Sequence, residues 1–374
     1  DGIRDYKVTG VQTCALPICH SHDVPVMPLV DRGLQRADHG VDPDREQGEP
    51  QRRSCCEVGE EVHGPRRAYP YRQNGEMKVH LIDGTYELFR QHFGMVVRHG
   101  NPGPNDAAIG VVSSTLQMVQ KGATHVGVAS DHVIESFRNE LYAGYKTSEG
   151  MDPVLLDQIP VMEELLAAAG FTVWPMVDHE ADDALGAAAA VADADPRVEQ
   201  VLIVTPDKDL GQCVRGSRVV QYDRRKDEVI DEAAVTAKFG VPPASVADYL
   251  ALVGDSADGY PGLPGWGAKG AASVLARWGT IESIPTSAAD WDLPGLRGAE
   301  KLCTTLQTQM SDALLFKRIA TVVTDLDVGR VDEWYWKGPT PGFRALVEGL
   351  GAPQLADRAE RLAQRLAKKS APAG

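Results

Sequence analysis

Nine acidic residues are spaced so that they could act together: Asp83, Asp131, Glu180, Asp182, Asp183, Asp207, Asp209, Asp255 and Asp258. Asp83 directly follows the apolar run Val79–Ile82, and Asp131 comes two residues after the run His125–Ala129. Asp207 and Asp209 follow Val201–Thr205. Glu180 and Asp183 are three residues apart at the opening of an Ala-rich stretch, so on a helix they share a face. Asp255 and Asp258 repeat that spacing at the edge of a Gly-rich segment. A single Asp after a strand is ordinarily a cap or loop residue. Gathered like charges repel and raise one another's pKa unless something offsets them. Hard Mg²⁺ does so through oxygen ligands. Two groups of acids suggest two metal positions, the arrangement used for in-line displacement at phosphodiesters. No Ser/His/Asp or Cys/His constellation competes, and His80, His92, His99, His125, His132 and His179 are scattered.

The elements that must position these acids alternate. Val79–Ile82, His125–Ala129, Phe171–Trp174, Val201–Thr205 and Arg218–Tyr222 read as strands. Asp106–Lys121, Val154–Ala169 (despite Pro160) and Ala181–Ala192 read as helices. Strands alternating with helices imply a mostly parallel central sheet flanked by helices, an α/β fold. In such sheets, sites form beyond the carboxyl ends of the strands, where these acids fall. From about Asp231 the pattern is helical, broken by a Gly/Pro-rich stretch at 259–270. The division expected is 77–235 for the α/β core and 236–374 for a compact helical region.

The 374 residues include 38 Lys and Arg against 53 Asp and Glu, a net charge of −15. No run of apolar residues is long enough to cross a membrane. The 43% hydrophobic share excludes wholesale disorder. An acidic balance argues against indiscriminate nucleic-acid binding. Residues 1–76 carry 10 of the cations and 13 of the acids, leaving 28 against 40 for the remainder. This first stretch has no sustained period and is expected to form no packed domain. Its start, DGIRDYKVTGVQTCALPIC, resembles the translation of a sequencing adapter, and Met77 opens MKVHLIDG as a natural start does. Residues 1–76 are therefore set aside as a non-native, disordered segment. Cys14, Cys19, His20 and His22 fit no common zinc spacing. Past 76 only Cys213 and Cys303 remain, too few for a disulfide framework, so a reducing cytoplasm is expected.

Five stretches, LIDGTYELFR, SDHVIESFRNELYAGYK, HEADDALGAAA, VTPDKDLGQC and GDSADGYPGLPGWGAKGA, stand in an order that resembles the bacterial 5′ nucleases. That family comprises 5′→3′ exonucleases and flap endonucleases and includes the N-terminal domain of DNA polymerase I. The resemblance covers about residues 77 to 300. It implies a PIN-like core over 77–235, with a helical arch at 132–150. It also implies a helical DNA-binding region over 236–374 with a helix–three-turn–helix at about 246–279. The nine acids correspond to the family's metal-binding set, and none is substituted. Arg138, Tyr142 and Lys146 are spaced four apart, and with Tyr145 they match the arch that meets the 5′ strand and the scissile phosphate. On one helical face the two cations would stabilise charge on the phosphate, and an aromatic ring would stack on a frayed base. Gly262, Gly265, Gly267 and Lys269 match the duplex-gripping loop, where backbone N–H groups approach phosphates. The resemblance further implies Mg²⁺, with Mn²⁺ as a substitute, and K⁺ at that loop.

Glu149 stands where the family usually has an Arg; Gly259, Trp266 and Gly270 also depart from the commonest residues. The expected activity is a 5′→3′ exonuclease or 5′ flap endonuclease. It would hydrolyse DNA by metal-activated water, with Arg138 and Lys146 catalytic. The expected partners are 5′ ends, flaps and branched duplex, with no membrane, for a monomer without an attached polymerase region. The alternatives are an RNase of the same fold acting on RNA or RNA–DNA hybrids, a non-catalytic branched-DNA binder, and a nucleotide-binding α/β enzyme. Pro353–Lys369 reads as a basic final helix exposed to solvent.

Overall fold

In the computed structural model, residues 77–100 and 102–370 are described. The expectations for residues 1–76, including Cys14, Cys19, His20 and His22, lie outside the described residues. The chain opens with β1 (Met77–Asp83), α1 (Gly84–His99), α2 (Asp106–Gln120) and β2 (His125–Asp131). Short helices α3 (Phe137–Leu141) and α4 (Pro153–Leu156) precede α5 (Gln158–Ala168), β3 (Thr172–Met176), α6 (Ala181–Ala194) and β4 (Val198–Val204). A 3₁₀ turn at Asp209–Cys213 leads to β5 (Val219–Asp223) and β6 (Glu228–Ile230). Helices follow: α7 (Glu232–Phe239), α8 (Val246–Val253), α9 (Ala268–Trp278), α10 (Ala299–Thr308), α11 (Met310–Ala320), α12 (Phe343–Gly349) and α13 (Gln354–Ser370).

The sheet has six strands in the order β3-β2-β1-β4-β5-β6. The first four pairings are parallel, and β6 is antiparallel at one edge. The mostly parallel α/β fold read from the sequence is therefore the fold observed. β1 and β4 are central and almost wholly buried, as their unbroken apolar runs require. The strand order reverses across β1, so the crevice beyond β1, β2 and β4 is the topological switch point. β3 lies at the other edge, where Pro175 is tolerated despite its missing N–H. Gly84 begins α1 hard against β2: a Cβ there would lie 2.7 Å from the Ala129 carbonyl oxygen. That close approach fixes where α1 leaves the sheet edge.

One local expectation needs correction. Residues 154–169 are two helices, because Asp152 caps α4 through the Val154 N–H at 2.9 Å and the chain restarts at Gln158. The restart puts Pro160 in the first turn of α5, where its missing N–H costs nothing. Gln158 Oε1 then accepts the Ala107 and Ala108 N–H groups, finishing the otherwise uncapped start of α2. Helix α1 and strand β6 also went unread, although Tyr86, Phe89, Phe93 and Val97 have the three-and-four spacing of a helix face.

The region after 236 is not a compact unit packed on itself. Helices α8 to α11 share a core with Tyr260, Leu263, Trp266 and Trp291. Residues 322–336 instead run back to the sheet, where Val322, Val328, Val331 and Trp334 join the core around α6, β1 and β4. Trp336 Nε1 donates to the Ala169 carbonyl at 2.9 Å. Helix α13 docks through Arg358, which donates to the Ser113 carbonyl of α2 at 3.0 Å, so it is not wholly solvated.

Candidate metal centre and its covering segment

Each acid is delivered by a different local device. Asp83 ends β1 and caps α1: Oδ1 accepts the Tyr86 N–H at 2.8 Å and Oδ2 the Thr205 hydroxyl at 3.0 Å. Asp131 ends β2, and its Oδ1 accepts the Ala181 N–H at 2.7 Å, tying it to the start of α6. Glu180 caps α6, and Asp182 and Asp183 occupy its first turn, where the helix dipole favours negative charge. Asp207 follows β4 and accepts the Asp209 N–H at 2.9 Å. Asp255 and Asp258 sit on the loop after α8, where the Asp255 N–H bonds the Tyr260 carbonyl at 2.8 Å.

Two triads result. One oxygen each from Asp182, Asp207 and Asp209 lie within 4.8 Å of one another, as do oxygens from Asp209, Asp255 and Asp258. Asp209 belongs to both, and its Oδ1 is buried with no hydrogen-bond partner among the described residues. Asp83, Asp131, Glu180, Asp182 and Asp207 line one cavity with Lys146. Burial, with Asp131 and Asp207 nearby, pushes the Asp83 carboxyl up to about 7. Burial and neighbouring carboxylates also raise Asp182 and Asp209 well above the usual range. Burial raises Asp131 and Asp255 too. An all-carboxylate donor set with an orphaned buried oxygen fits hard divalent cations at two adjoining positions.

Two lysines already answer part of this charge. Lys146 Nζ lies 3.0 Å from both Glu180 and Asp258. Burial works against its charge, but those carboxylates hold its pKa well above the ordinary lysine value. Burial likewise works against Asp258, yet Lys146 keeps that carboxyl below its ordinary value. Lys208 pairs with Asp255. The sequence reading overlooked Lys208, although its place between Asp207 and Asp209 was a usable signal. Thr85 and Phe89, also unread, line the same cavity.

Asp183 departs from the expected metal set. It is wholly buried, and Arg138 grips it with Nη1 at 2.7 Å and Nη2 at 2.8 Å. The Val323 and Glu180 N–H groups occupy the same two oxygens. Burial would raise its pKa, but the guanidinium outweighs that and lowers it. Its oxygens are committed to protein, which leaves no direct contact for a metal. Arg138 is correspondingly unavailable as a phosphate ligand: it is 3% exposed and also donates to the Ile319 and Thr321 carbonyls.

The covering segment differs from the expected arch helix. Helix α3 lasts five residues and ends at Tyr142, whose backbone is extended. Arg138, Tyr142 and Lys146 therefore do not share a helical face. Tyr145 instead folds inward, and the Lys146 N–H bonds the Asp258 carbonyl at 3.0 Å. Gly259 permits that docking, since it has φ +88° and a Cβ would lie 2.1 Å from the Gly144 oxygen. Tyr145 is buried and donates to Glu180 at 3.2 Å, so it presents no ring to a base. Tyr142 packs edge-on against Phe316. Glu149 is exposed.

The Gly-rich loop does join two helices, α8 and α9. Gly265, Gly267 and Lys269 are exposed, and Gly267 starts α9 with no side-chain cap, so N–H groups of its first turn face outward unbonded by a side chain. Gly262 is buried against residues 252–254 and serves the loop's packing instead of a ligand. Trp266 anchors the loop inward, donating to the Leu302 carbonyl at 3.2 Å. No described helix is long and apolar enough to cross a membrane.

Comparisons with known proteins identify the family to which the fold belongs. Residues 78–240 match the N-terminal resolvase-like domain of 5′-3′ exonucleases, and residues 241–341 match their C-terminal SAM fold. A 5′-3′ exonuclease of Aquifex aeolicus is 30% identical over 260 residues, covering 68% of this chain and 85% of that protein. DNA polymerase I of Bacillus caldotenax is 30% identical over 317 residues; these cover 78% of this chain but only 35% of the polymerase. The flap endonuclease of bacteriophage T5, solved as a pseudo-enzyme-product complex with DNA and metal ions, superposes with a TM-score of 0.52. It is 16% identical, with 77% of this chain and 98% of that one covered, a likeness of fold.

Proposed function

The chain belongs to the 5′-3′ exonuclease family, and from that premise we propose that it is a divalent-metal-dependent nuclease acting on 5′ ends and 5′ flaps of DNA. The observation that carries this reading is the pair of carboxylate triads sharing Asp209 at the switch point of the sheet. Asp182, Asp207 and Asp209 would hold one cation, and Asp209, Asp255 and Asp258 a second, with Asp83 and Asp131 bordering the first. Mg²⁺ is the ion proposed, with Mn²⁺ able to replace it. Bound there, the cations supply Lewis acidity toward the phosphoryl oxygens and lower the pKa of water.

The remaining work falls to the chain itself. Lys146 reaches the metal cavity from the covering segment and is the cation placed to orient a phosphate. Arg138 and Asp183 act one layer below, holding the start of α6 so that Glu180 and Asp182 keep their directions. Residues 77–235, completed by Asp255 and Asp258, would carry cleavage, while Gly265, Gly267 and Lys269 would grip duplex backbone without reading sequence. K⁺ at that loop and a monomeric state belong to the same proposal. Cys213 and Cys303, buried and unbridged, suit a reducing compartment such as the cytoplasm.

The test is cleavage of a 5′-labelled flap, a nicked duplex and a single strand, each with Mg²⁺ and with EDTA. Release of 5′ fragments from the flap and nick, abolished by EDTA, is the expected result. Cleavage unaffected by EDTA would overturn the reading.

A further inference from the structure

Asp131 differs from its fellow acids in what flanks it. Ser130 and His132, on either side, both turn to one carboxylate, Glu163 of α5. The Ser130 hydroxyl donates to Oε1 at 2.7 Å, and His132 Nδ1 donates to Oε2 at 2.7 Å. Ser130 is wholly buried and Glu163 is 8% exposed, so the Ser130 arm of this brace lies inside the protein, while the His132 arm opens to the surface. It spans from α5 to the last residues of β2, thirty-odd positions earlier in the chain. Two further holds act on this stretch: the Thr85 hydroxyl accepts the Asp131 N–H at 2.8 Å, and the Val133 N–H bonds the Met176 carbonyl at 3.1 Å. Among these contacts, Glu163 alone grips both neighbours of Asp131.

We propose that Glu163 is a positioning residue for the metal centre, and that its bonds to Ser130 and His132 fix the backbone at 130–132 and so aim the Asp131 carboxylate. The physical reason lies in how strands end. Ladder bonds thin out where a β-strand ends; Asp131 is the last residue of β2, and past it the backbone bond from the Val133 N–H to the Met176 carbonyl at 3.1 Å continues the hold on the β3 side only. The brace from Glu163 adds a hold on the α5 side and so narrows the directions open to the carboxylate. One Asp131 oxygen is bound to the Ala181 N–H, so a small backbone rotation alters both the metal-facing oxygen and the start of α6. Supporting bonds of this kind orient ligands, and their loss typically lowers metal affinity about 10- to 100-fold.

The inference rests on the metal-dependent reading above, so its test is arranged to separate the two. Mg²⁺ titrations of flap cleavage would be compared for the parent, Glu163→Ala, Glu163→Gln, Ser130→Ala and His132→Ala. Mn²⁺ binding without DNA would be followed by the loss of the free-ion resonance signal. For Glu163→Ala, the half-saturating Mg²⁺ concentration should rise about 10-fold. The rate at saturating Mg²⁺ should recover to near the parent's, and Mn²⁺ should bind correspondingly more weakly. Glu163→Gln keeps one acceptor and should fall between. Should Glu163→Ala fail to fold, His132→Ala carries the test, because His132 is half-exposed and its loss removes one arm of the brace. A folded variant with the parent's Mg²⁺ dependence and Mn²⁺ binding would overturn the brace. So would a lower maximal rate with unchanged metal dependence. Cleavage by the parent that needs no metal would instead overturn the underlying reading, and the brace with it.

Discussion

The sheet edge gathers acids, the segment that covers it brings two cations, Arg138 and Lys146, toward them, and the two regions obey different rules. At the edge, Asp207 and Asp209 stand at the end of a strand, and the strand aims them at the crevice. In the segment, Arg138 and Lys146 are only eight residues apart, yet one is buried under α6 and the other reaches the metal cavity. Among the described residues, Asp209 Oδ1 at the edge is buried with no hydrogen-bond partner. The segment's Arg spends four hydrogen bonds on the Asp183 carboxylate and the Ile319 and Thr321 carbonyls. A charged residue with spare valence is free to take a ligand; one whose hydrogen bonds are satisfied inside the protein is part of the frame.

Asp207 and Asp183 test that contrast most severely. Asp207→Asn should lower cleavage by three orders of magnitude or more, as loss of a ligand does in a metal-dependent site, with duplex affinity and melting temperature little changed. Asp183→Asn should act through stability, because it leaves Arg138 buried beside a neutral group. A cost of about 3 kcal/mol is expected, read by urea denaturation. If both variants lose only activity, Asp183 belongs with the ligands after all.

A second comparison pits the two cations against each other. Lys146→Ala should reduce the cleavage rate about 100-fold with a small change in melting temperature, measured in single-turnover assays and thermal scans. Arg138→Ala should do the reverse, destabilising the fold before any effect on chemistry is seen. Equal melting temperatures for the two variants would erase the distinction drawn here.

The smallest effect concerns pH. Asp83 rises from 3.8 to about 7 on folding, and Asp131, Asp182 and Asp209 shift the same way. Between those values the folded protein holds protons that the unfolded chain has released, so raising pH costs stability. Metal-free protein should therefore lose a few degrees of melting temperature as pH rises from about 4 to about 7. Mg²⁺ should reverse the loss at pH 7.5, since it binds the folded state's ionised carboxylates. A melting temperature independent of pH would show the edge carboxylates to be compensated already.

Much of this was legible in the sequence because strand ends are local. Four of the strands lie within a residue or two of their apolar runs, and acids that follow a buried strand fall at its carboxyl edge whatever the rest does. The Gly-rich loop was legible for the same reason, its glycines marking a turn between two helices. Periodicity failed in the segment from 137 to 150. There a spacing of four suggested a helix, but Gly144 and the inward pull of Glu180 and Asp258 on Tyr145 and Lys146 won. Nor does any local pattern reveal that residues 322–336 return to the sheet, since Trp334 and Trp336 reach their partners across more than a hundred residues.

By itself the sequence determined which residue types gather at the strand ends, and hence that the chain can hold divalent metal. Strand polarity and side-chain chemistry act over a few residues, so they survive without knowledge of the fold. Only the tertiary structure decided which carboxylates keep an oxygen to spare. That depends on which distant donor reaches each one first: Arg138 for Asp183, Lys146 for Glu180, and none among the described residues for Asp209 Oδ1.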